Sequence, residues 1–403
     1  MSIKWSGENT DRVVELNLKK KVNVLSPLLK CALFGEEVDE QIKSIASERV
    51  ADLYDMTARH DIVNLIDYAF RKSGISVNDE TLEYEYIKQQ AMSVMRYENQ
   101  NVALCNISEL FEKEKIPFIS LKGAVIRKFY PEPWMRTSCD IDILVHKQDL
   151  ERAKKSVVEK LGFKYDKKYN YHDVSLYSDE DVHLELHFSI KENMEKIDKL
   201  LDRVWDYATP KDNETFEYVL TNEFFMFQTI AHMAYHFKSG GCGIRSYIDL
   251  MLLKKKLVFD EKVLSDMLKE CQLQTFYESC LRLIDVWFFN GEHDEITRHM
   301  HKYLVEGGTY GSKNASIAVK RIEKGRLEYA LERVFMPYDK LIITYPALKG
   351  RPWLTPLYQL KRWCRGVTNG KFGKKVRELS ESTSVPQDKI DNLNVLLKRV
   401  GLK

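Results

Sequence analysis

Residues 136–145 read RTSCDIDILV, and the fold is predicted most directly from them. An apolar run, as in a strand that fills the interior of a sheet, is made by Cys139, Ile141, Ile143, Leu144 and Val145, yet Asp140 and Asp142 interrupt it. Because alternate residues of a strand point to the same face, the two carboxylates are predicted to stand side by side. Two like charges are costly to bury unless a positive group meets them. The stretch therefore predicts a buried strand with a positively charged partner.

Length and composition limit the number of domains and the class of protein that this chain can be. A chain of 403 residues is longer than one ordinary domain, which predicts two or three domains. The hydrophobic fraction of 44% and the charged fraction of 30% are those of a globular protein with full-sized cores. The formal net charge is only +2, so no overall field favours nucleic acid or a membrane as a partner.

The N-terminal residues and the cysteines predict the compartment. The start, MSIKWSGENT, lacks the long apolar run of a signal peptide, and no window is apolar enough for a spanning helix. The seven cysteines are scattered and form no CxxC pair, which argues against a disulfide framework and against a zinc site. We therefore expect a cytoplasmic protein without a transmembrane segment.

Apolar periodicity divides the chain into four parts. Helical spacing predicts helices in the first hundred residues, ending in a long helix from Leu82 to Lys113 with capping residues at Asn78, Asp79 and Thr81. Strands and helices then alternate, and helices return after Thr221. The predicted parts are an N-terminal helical segment (1–100), an α/β domain (101–207), a C-terminal helical domain (208–335) and a basic, aromatic helical tail (336–403).

The α/β domain is predicted from alternation and from turn residues. Its last two strands, YHDVSLY and VHLELHF, are joined by the turn residues SDED and form a hairpin. The predicted elements are strands at 116–122 and 139–145 with a helical stretch at 124–130 between them, an amphipathic helix at 147–161 closed by Gly162, and the hairpin strands at 171–177 and 182–188.

A third carboxylate follows from the strand VHLELHF. Its apolar residues alternate with His183, Glu185 and His187, which therefore share the opposite face. We expect Glu185 to join Asp140 and Asp142. Three carboxylates on adjacent strands suit two Mg²⁺ ions, which prefer oxygen ligands and can clamp the attacking and leaving oxygens of a phosphoryl displacement. The alternatives are a structural role for the aspartates and a cross-strand salt bridge between Glu185 and a lysine.

The stretch LKGA, residues 121–124, predicts the phosphate-binding half of such a site. It ends a strand and opens a helix, where Gly123 permits close backbone approach and Lys122 supplies a positive charge. Arg136 and Ser138 add donors upstream of the aspartates. The alternative for Lys122 is an exposed, solvated lysine.

At these residues the chain resembles the polymerase-β-like nucleotidyltransferases, and more closely a family of uncharacterised bacterial nucleotidyltransferases with the pattern LKG…YP…R…DIDLLV…VELHW. Here the motifs read LKGAVIRKFYPEPWMRTSCDIDILV and VHLELHF. The resemblance implies an α+β fold, with a mixed-sheet nucleotidyltransferase core flanked by N- and C-terminal helical segments. It also implies that Asp140, Asp142 and Glu185 hold two Mg²⁺ ions, with Mn²⁺ as a substitute.

The resemblance also shows a departure. The usual Gly-Ser, whose hydroxyl contacts a nucleotide phosphate in the superfamily, is Gly123-Ala124 here, and sixteen residues separate Gly123 from Asp140. Abortive-infection nucleotidyltransferase toxins share an LKGG…R-x-S-x-D-h-D pattern that RTSCDID also fits. The resemblance to these toxins implies that Lys122 compensates for the missing hydroxyl.

Two histidines after the α/β domain are predicted to line the acceptor pocket. His232 and His236 stand four residues apart in AHMAYHF, the spacing of a zinc-protease helix, but Met233 occupies the position where such a helix needs glutamate. Relatives carry histidine in the same stretch, which implies a contact with nucleotide or acceptor. The alternative is packing or capping.

Arg245 and His187 complete the predicted pocket wall. Arg245 lies four residues before Asp249 in IRSYIDL, a stretch in which relatives also carry arginine and aspartate. A helix salt bridge is the alternative for this pair. His187 stands next to Glu185 on the polar face and would orient Glu185 or contact the acceptor, the alternative being a plain surface histidine.

The tail from Arg351 to Ser380 has eight Lys or Arg against one acidic residue, mixed with Trp353, Tyr358 and Trp363. Such a segment can bind RNA or an anionic surface. The interpretation that we favour from the sequence is a solvated helix packed by its aromatic side chains.

These features predict a magnesium-dependent nucleotidyltransferase that moves a nucleoside monophosphate from a nucleoside triphosphate to an acceptor hydroxyl on a small molecule, sugar or peptide, with release of pyrophosphate. Two alternatives remain. One is a toxin-type enzyme that modifies tRNA or protein, and the other is a binding protein that keeps the fold without catalysis. The sequence identifies neither the nucleotide nor the acceptor.

Overall fold

The computed structural model describes residues 24–165, 173–309, 311–368 and 385–403. In these residues the strands form one mixed seven-stranded sheet with helices around it, which confirms the predicted α+β fold. The strands are β1 (Phe118–Ser120), β2 (Asp140–Val145), β3 (Lys164–Tyr165), β4 (Asp173–Tyr177), β5 (His183–His187), β6 (Ala208–Pro210) and β7 (Glu217–Leu220). Their order in the sheet is β3-β4-β5-β2-β1-β7-β6.

Strands β2 and β5 lie side by side at the centre of the sheet and run parallel, with Asp140 opposite His183 and Asp142 opposite Glu185. Strand β1 pairs with β2 in antiparallel fashion. Strands β4 and β5 form the predicted hairpin, of which residues 171 and 172 lie outside the described part. Because paired residues of neighbouring strands point to the same face, this register brings the acidic residues of β2 and β5 together.

Helices occupy most of the remaining chain. They are α1 (24–34), α2 (Glu40–Glu48), α3 (Val50–Arg59), α4 (Val63–Ser73), α5 (Glu80–Glu114), α6 (Lys122–Ile126), α7 (Leu150–Leu161), α8 (Glu195–Leu201), α9 (Asn222–Ser239), α10 (Ile244–Lys256), α11 (Glu261–Glu270), α12 (Gln274–Phe288), α13 (Glu295–Val305), α14 (Lys313–Val334), α15 (Tyr338–Thr344), α16 (Thr355–Thr368) and α17 (Gln387–Arg399). None of the helices in the described ranges is long and apolar enough to cross a bilayer.

The long predicted helix is α5. It begins where expected, because the Asp79 side chain accepts a hydrogen bond from the Leu82 backbone N–H at 2.9 Å and so satisfies one of the unpaired donors of the first turn. The helix continues to Glu114, so the predicted boundary between residues 100 and 101 falls inside it. The division into four parts stays a prediction.

Strand β2 separates two hydrophobic cores. Ile141, Ile143 and Val145 face a core that they share with α5 and α7. Leu144, on the other face, joins a larger core built from the N-terminal helices and the helices after the sheet. Since Asp140 and Asp142 alternate with the isoleucines, they also point toward the helical side. The acidic residues therefore lie between the sheet and the helical part of the protein.

His301 on α13 makes the stability of the helical part depend on pH. The residue is buried, and its Nδ1 accepts a hydrogen bond from Trp287 Nε1 at 3.1 Å. Burial, with a smaller contribution from His293, lowers the pKa of His301 from 6.5 to about 4. The unfolded chain therefore binds this proton more readily, so the contribution is complete above pH 6.5 and is lost as the pH falls toward 4.

Between pH 7 and pH 5, His301 is expected to remove about 2 kcal/mol from the free energy of unfolding. Urea unfolding at the two pH values measures this loss. His301→Gln keeps an acceptor for Trp287 and is expected to reduce the loss by that amount, whereas exposed His299→Gln is expected to leave it unchanged. The same pH dependence in the wild-type chain and His301→Gln would contradict the assignment.

Candidate active site

Acidic and histidine side chains of β2 and β5 converge on the helical face of the sheet. Oxygen and nitrogen atoms of Asp142, Glu185 and His187 lie within 4.8 Å of one another, and the same holds for Asp140, His183 and Glu185. Asp142 is buried, whereas Asp140 and Glu185 are half-buried. The two groups share Glu185, so the structure brings together all three carboxylates singled out in the sequence.

Among the three carboxylates, Asp142 is the one whose negative charge is balanced most fully by neighbouring groups. It accepts hydrogen bonds from Lys122 Nζ at 3.1 Å and from His187 Nε2 at 2.8 Å. Burial opposes its ionisation, but the charge of Lys122 and the bond from His187 outweigh burial and hold the pKa of Asp142 well below its usual range. Burial likewise disfavours the imidazolium of His187, yet the bonds to Asp142 and Glu185 raise the pKa of His187 to about 9.

The negative charge of Asp140 is balanced less fully by its neighbours. Ser138 Oγ donates a hydrogen bond to Asp140 Oδ1 at 3.0 Å. Burial, together with the charges of Asp142 and Glu185, nevertheless raises the pKa of Asp140. A bound cation would relieve this excess of negative charge.

His183 is a second indication of a metal site, and the sequence did not single it out as a ligand. Its ring stacks on Tyr177 with the centroids 4.5 Å apart, which fixes its orientation. Its Nε2 is buried, has no hydrogen-bond partner among the described residues, and lies 3.7 Å from Glu185 Oε1. A buried, unpaired ring nitrogen beside two carboxylates fits a metal ligand.

The donor set decides which cations fit. Three carboxylates on one face offer the hard oxygen ligands that Mg²⁺ prefers, and an imidazole nitrogen next to them, that of His183, also suits Mn²⁺. Asp140, Asp142 and Glu185, with His183 beside them, therefore fit the metal predicted from the sequence.

The Lys122-Gly123 turn adjoins the carboxylates at the start of α6. Lys122 has a positive φ of 43°, uncommon for a residue with a side chain. A Cβ built on Gly123 would lie 2.7 Å from Arg136 Nη1 and from Ser138 Oγ. Only glycine therefore lets these two donors pack against the backbone of α6, where both line a cavity.

Ala124 occupies the position where the superfamily carries serine. Its side chain is buried, and Ala124 is not among the described residues that line either cavity next to the carboxylates. Ser138, by contrast, places its hydroxyl at the edge of the larger cavity, beside Asp140.

Arg136 binds a carboxylate of the helical part. Its Nε and Nη2 donate to Asp249 Oδ1 at 3.2 Å and Oδ2 at 3.0 Å, and Tyr130 donates to Oδ1 at 2.8 Å. Burial disfavours the guanidinium ion, but the charge of Asp249 raises the pKa of Arg136. The predicted phosphate ligand thus also joins the strand region to α10.

Arg245 and Asp249 bind partners on other elements rather than each other. Arg245 Nη1 donates to a carboxylate oxygen of Asp61 and, at 3.0 Å, to the backbone oxygen of Thr137. Arg245 therefore ties α10 both to the N-terminal helices and to the segment before β2, while it lines the larger cavity.

The predicted histidines on α9 form a chain with a residue that the sequence did not single out. His232 Nδ1 donates to Glu192 Oε1 at 2.7 Å, and His236 Nε2 lies 3.1 Å from His232 Nε2. Burial and the neighbouring His232 lower the pKa of His236 to about 4. Glu192 lies in the loop after β5, and no spacing motif in the sequence pointed to it.

Two cavities meet at Lys122. The larger has a volume of about 220 Å³ and is lined by the Lys122-Gly123 turn, both aspartates and residues of α9 and α10. The smaller has a volume of about 140 Å³ and is lined by Glu185, His187 and the loop that carries Glu192. Lys122, Gln228 and His232 line both cavities, whereas the aspartates line only the larger and Glu185 only the smaller.

A mixed sheet flanked by helices, with an aspartate strand and a glutamate strand parallel and adjacent beside a Lys-Gly turn, has the architecture of the nucleotidyltransferase class. The chain belongs to the family described as uncharacterised nucleotidyltransferases, whose model matches residues 46–289. This confirms the family predicted from the sequence, and membership implies a nucleotide substrate. No curated protein and no solved structure matches the chain.

Proposed function

We propose that this protein is a magnesium-dependent nucleotidyltransferase that transfers a nucleoside monophosphate from a nucleoside triphosphate to the hydroxyl of a small molecule, sugar or peptide. The observation that carries the proposal is the register of β2 and β5. It sets Glu185 directly beside Asp142, with Asp140 on the same face. The reaction would join the acceptor oxygen to the α-phosphorus, break the bond to the β-phosphate and release pyrophosphate.

The carboxylates would hold the metal. Asp140, Asp142 and Glu185 are proposed as ligands for two Mg²⁺ or Mn²⁺ ions, because their atoms converge and the raised pKa of Asp140 marks uncompensated negative charge. When bound, such ions lower the pKa of an attacking hydroxyl and neutralise charge on the phosphates. Glu185, which also lines the smaller cavity, is proposed to accept the hydroxyl proton.

The larger cavity is proposed to hold the triphosphate. Lys122 Nζ, Ser138 Oγ and Arg136 Nη1 stand at its edge beside the aspartates. Burial disfavours the ammonium ion of Lys122, but Asp142 and Glu192 raise its pKa, so Lys122 stays charged. A charged lysine and a hydroxyl donor next to the metal ligands suit phosphate oxygens.

The smaller cavity is proposed to hold the acceptor. Its volume of about 140 Å³ corresponds to about five water molecules, which is room for one hydroxyl-bearing group of the acceptor. His187 and His232 line it, while His236 and Arg245 extend the wall on the side of the larger cavity. These four residues are the proposed pocket wall.

Magnesium-dependent release of pyrophosphate, measured for ATP and the other nucleoside triphosphates, tests the proposal. The matched control is the double variant Asp140→Asn, Asp142→Asn, and equal release from both proteins would leave only the non-catalytic alternative. Labelled nucleotide incubated with cell lysate then identifies the acceptor. Label in the small-molecule fraction supports the proposal, whereas label in tRNA or protein would favour the toxin-type alternative.

Substitution of Lys122 is expected to weaken nucleotide binding more than turnover. Lys122→Met removes a charged donor from the proposed phosphate site, which should raise KM for the nucleoside triphosphate roughly tenfold to a hundredfold. Steady-state pyrophosphate release measures it. Lys128→Gln, an exposed lysine of the same segment, is the control and should leave KM unchanged. An unchanged KM in Lys122→Met would remove Lys122 from the phosphate site.

A further inference from the structure

Helix α16 and the turn before it present apolar side chains to solvent. Trp353, Leu357 and Leu360 are 71%, 60% and 54% exposed. Leu357 and Leu360 lie three residues apart on α16 and so share one face of the helix, and Trp353 lies in the 3-10 turn of Pro352–Leu354 just before it; we call these three side chains the apolar stripe. The other side of this segment is already packed, because Leu354 and Tyr358 lie against the small core of Leu341, Tyr345 and Leu348. The predicted aromatic packing of the tail thus accounts for only one of its faces.

Strong positive charge surrounds the apolar stripe in the sequence. Residues 340–377 contain ten Lys or Arg and no Asp or Glu. Lys349 and Arg351 are exposed. A segment of this charge attracts a polyanion, while the net charge of the whole chain is only +2.

The types of side chain in the apolar stripe indicate which kind of polyanion this segment binds. Single-stranded RNA is bound through aromatic rings on which bases stack, and two of the three exposed side chains are leucines, which offer no such ring. An anionic bilayer suits every type of side chain in this segment. In membrane-bound proteins tryptophan prefers the level of the headgroups, leucine enters the acyl boundary, and lysine and arginine attract charged lipids. A second copy of the chain fits poorly, because the two basic segments would repel each other.

We propose that the segment 349–365 docks on anionic lipid bilayers, with the apolar stripe inserted at the interface and the flanking basic residues on the headgroups. The surface lies on the C-terminal tail, outside the carboxylate site, and the proposal does not depend on the reaction that the site performs. It predicts peripheral binding that needs both the leucines and the positive charge.

Sedimentation of the full-length chain with vesicles tests the proposal. Vesicles of phosphatidylcholine containing about a third phosphatidylglycerol are expected to bind the chain, and vesicles of phosphatidylcholine alone to bind it weakly. Leu357→Gln, Leu360→Gln is expected to lower the partition coefficient at least about tenfold, because two leucines lose their place in the acyl boundary. Lys349→Glu, Arg351→Glu is expected to lower it by a similar factor.

The matched control is Met95→Gln, Val102→Gln on α5, whose side chains are exposed to a similar extent, 59% and 58%, and which should bind as the wild-type chain does. Thermal melting by circular dichroism checks that every variant is folded. Full binding by the leucine variant would overturn insertion of the apolar stripe. Preferential binding of labelled single-stranded RNA, or a dimer that the leucine substitutions dissociate, would overturn the lipid assignment.

Discussion

Replacement of Asp142 by asparagine is expected to lower kcat/KM for nucleotidyl transfer by about a thousandfold or more. The substitution keeps the size of the side chain and removes the charge at the centre of the carboxylate cluster. Asp142 contacts Lys122 and His187 and lies within ligand distance of Glu185, so these three groups of the proposed mechanism each lose a partner. Pyrophosphate release with the preferred nucleoside triphosphate measures the loss.

A second readout separates a lost charge from a lost fold. The carboxylate of Asp142 contributes to raising the pKa of His187 to about 9, so the pKa of His187 should fall in Asp142→Asn. An NMR titration of the histidine ring follows it. Mg²⁺ should raise the melting temperature of the wild-type chain and have little effect on the variant.

The control for this prediction is Asp179→Asn in the exposed turn between β4 and β5, which should keep full activity. Retention of more than about a tenth of the activity by Asp142→Asn, with the His187 pKa lowered, would show that the cluster is not the catalytic site. An unchanged pKa of His187 would show that the two side chains do not pair.

Asp249→Ala is expected to have the largest effect on stability, a loss of about 3 to 5 kcal/mol in the free energy of unfolding. The carboxylate accepts two hydrogen bonds from Arg136 and one from Tyr130, and its removal leaves a guanidinium ion whose side chain is only 9% exposed without its counter-charge. Urea unfolding at neutral pH measures the loss. The exposed pair Glu195–Lys199 provides the control, since Glu195→Ala should leave the unfolding midpoint essentially unchanged.

The double variant Arg136→Met, Asp249→Leu tests the cause of this loss. Removal of both charges should restore part of the stability, because the destabilisation comes from the unpaired guanidinium ion rather than from the missing aspartate itself. Equal destabilisation of the single and double variants would indicate a packing defect at α10 instead.

The carboxylate site was predictable to the extent that it depends on strand alternation. The alternation in CDIDILV and VHLELHF places Asp140, Asp142 and Glu185 on polar faces, and this local property does not depend on the rest of the chain. Helix α5 and its cap at Asp79 were predictable for the same local reason. The residue roles stay predictions until variants are measured.

Contacts between distant segments were not predictable. Arg136 meets Asp249 across 113 residues, and Glu192 meets His232 across 40. No periodic pattern in the sequence predicts either contact, because both contacts depend on where α9 and α10 pack against the sheet. The same limit applies to Gly123: the sequence predicts close approach to a phosphate, and the structure shows that a side chain at this position would collide with Arg136 and Ser138.

The polar faces of the strands and helices could be predicted from the sequence, because side-chain direction follows from the local backbone period. Three features required the folded structure: the set of polar groups that share a cavity, the position of the His183 ring nitrogen beside two carboxylates, and the exposure of the leucines of α16. These outcomes depend on how elements far apart in the chain pack together. Packing is a property of the whole core, so no single sequence motif predicts it.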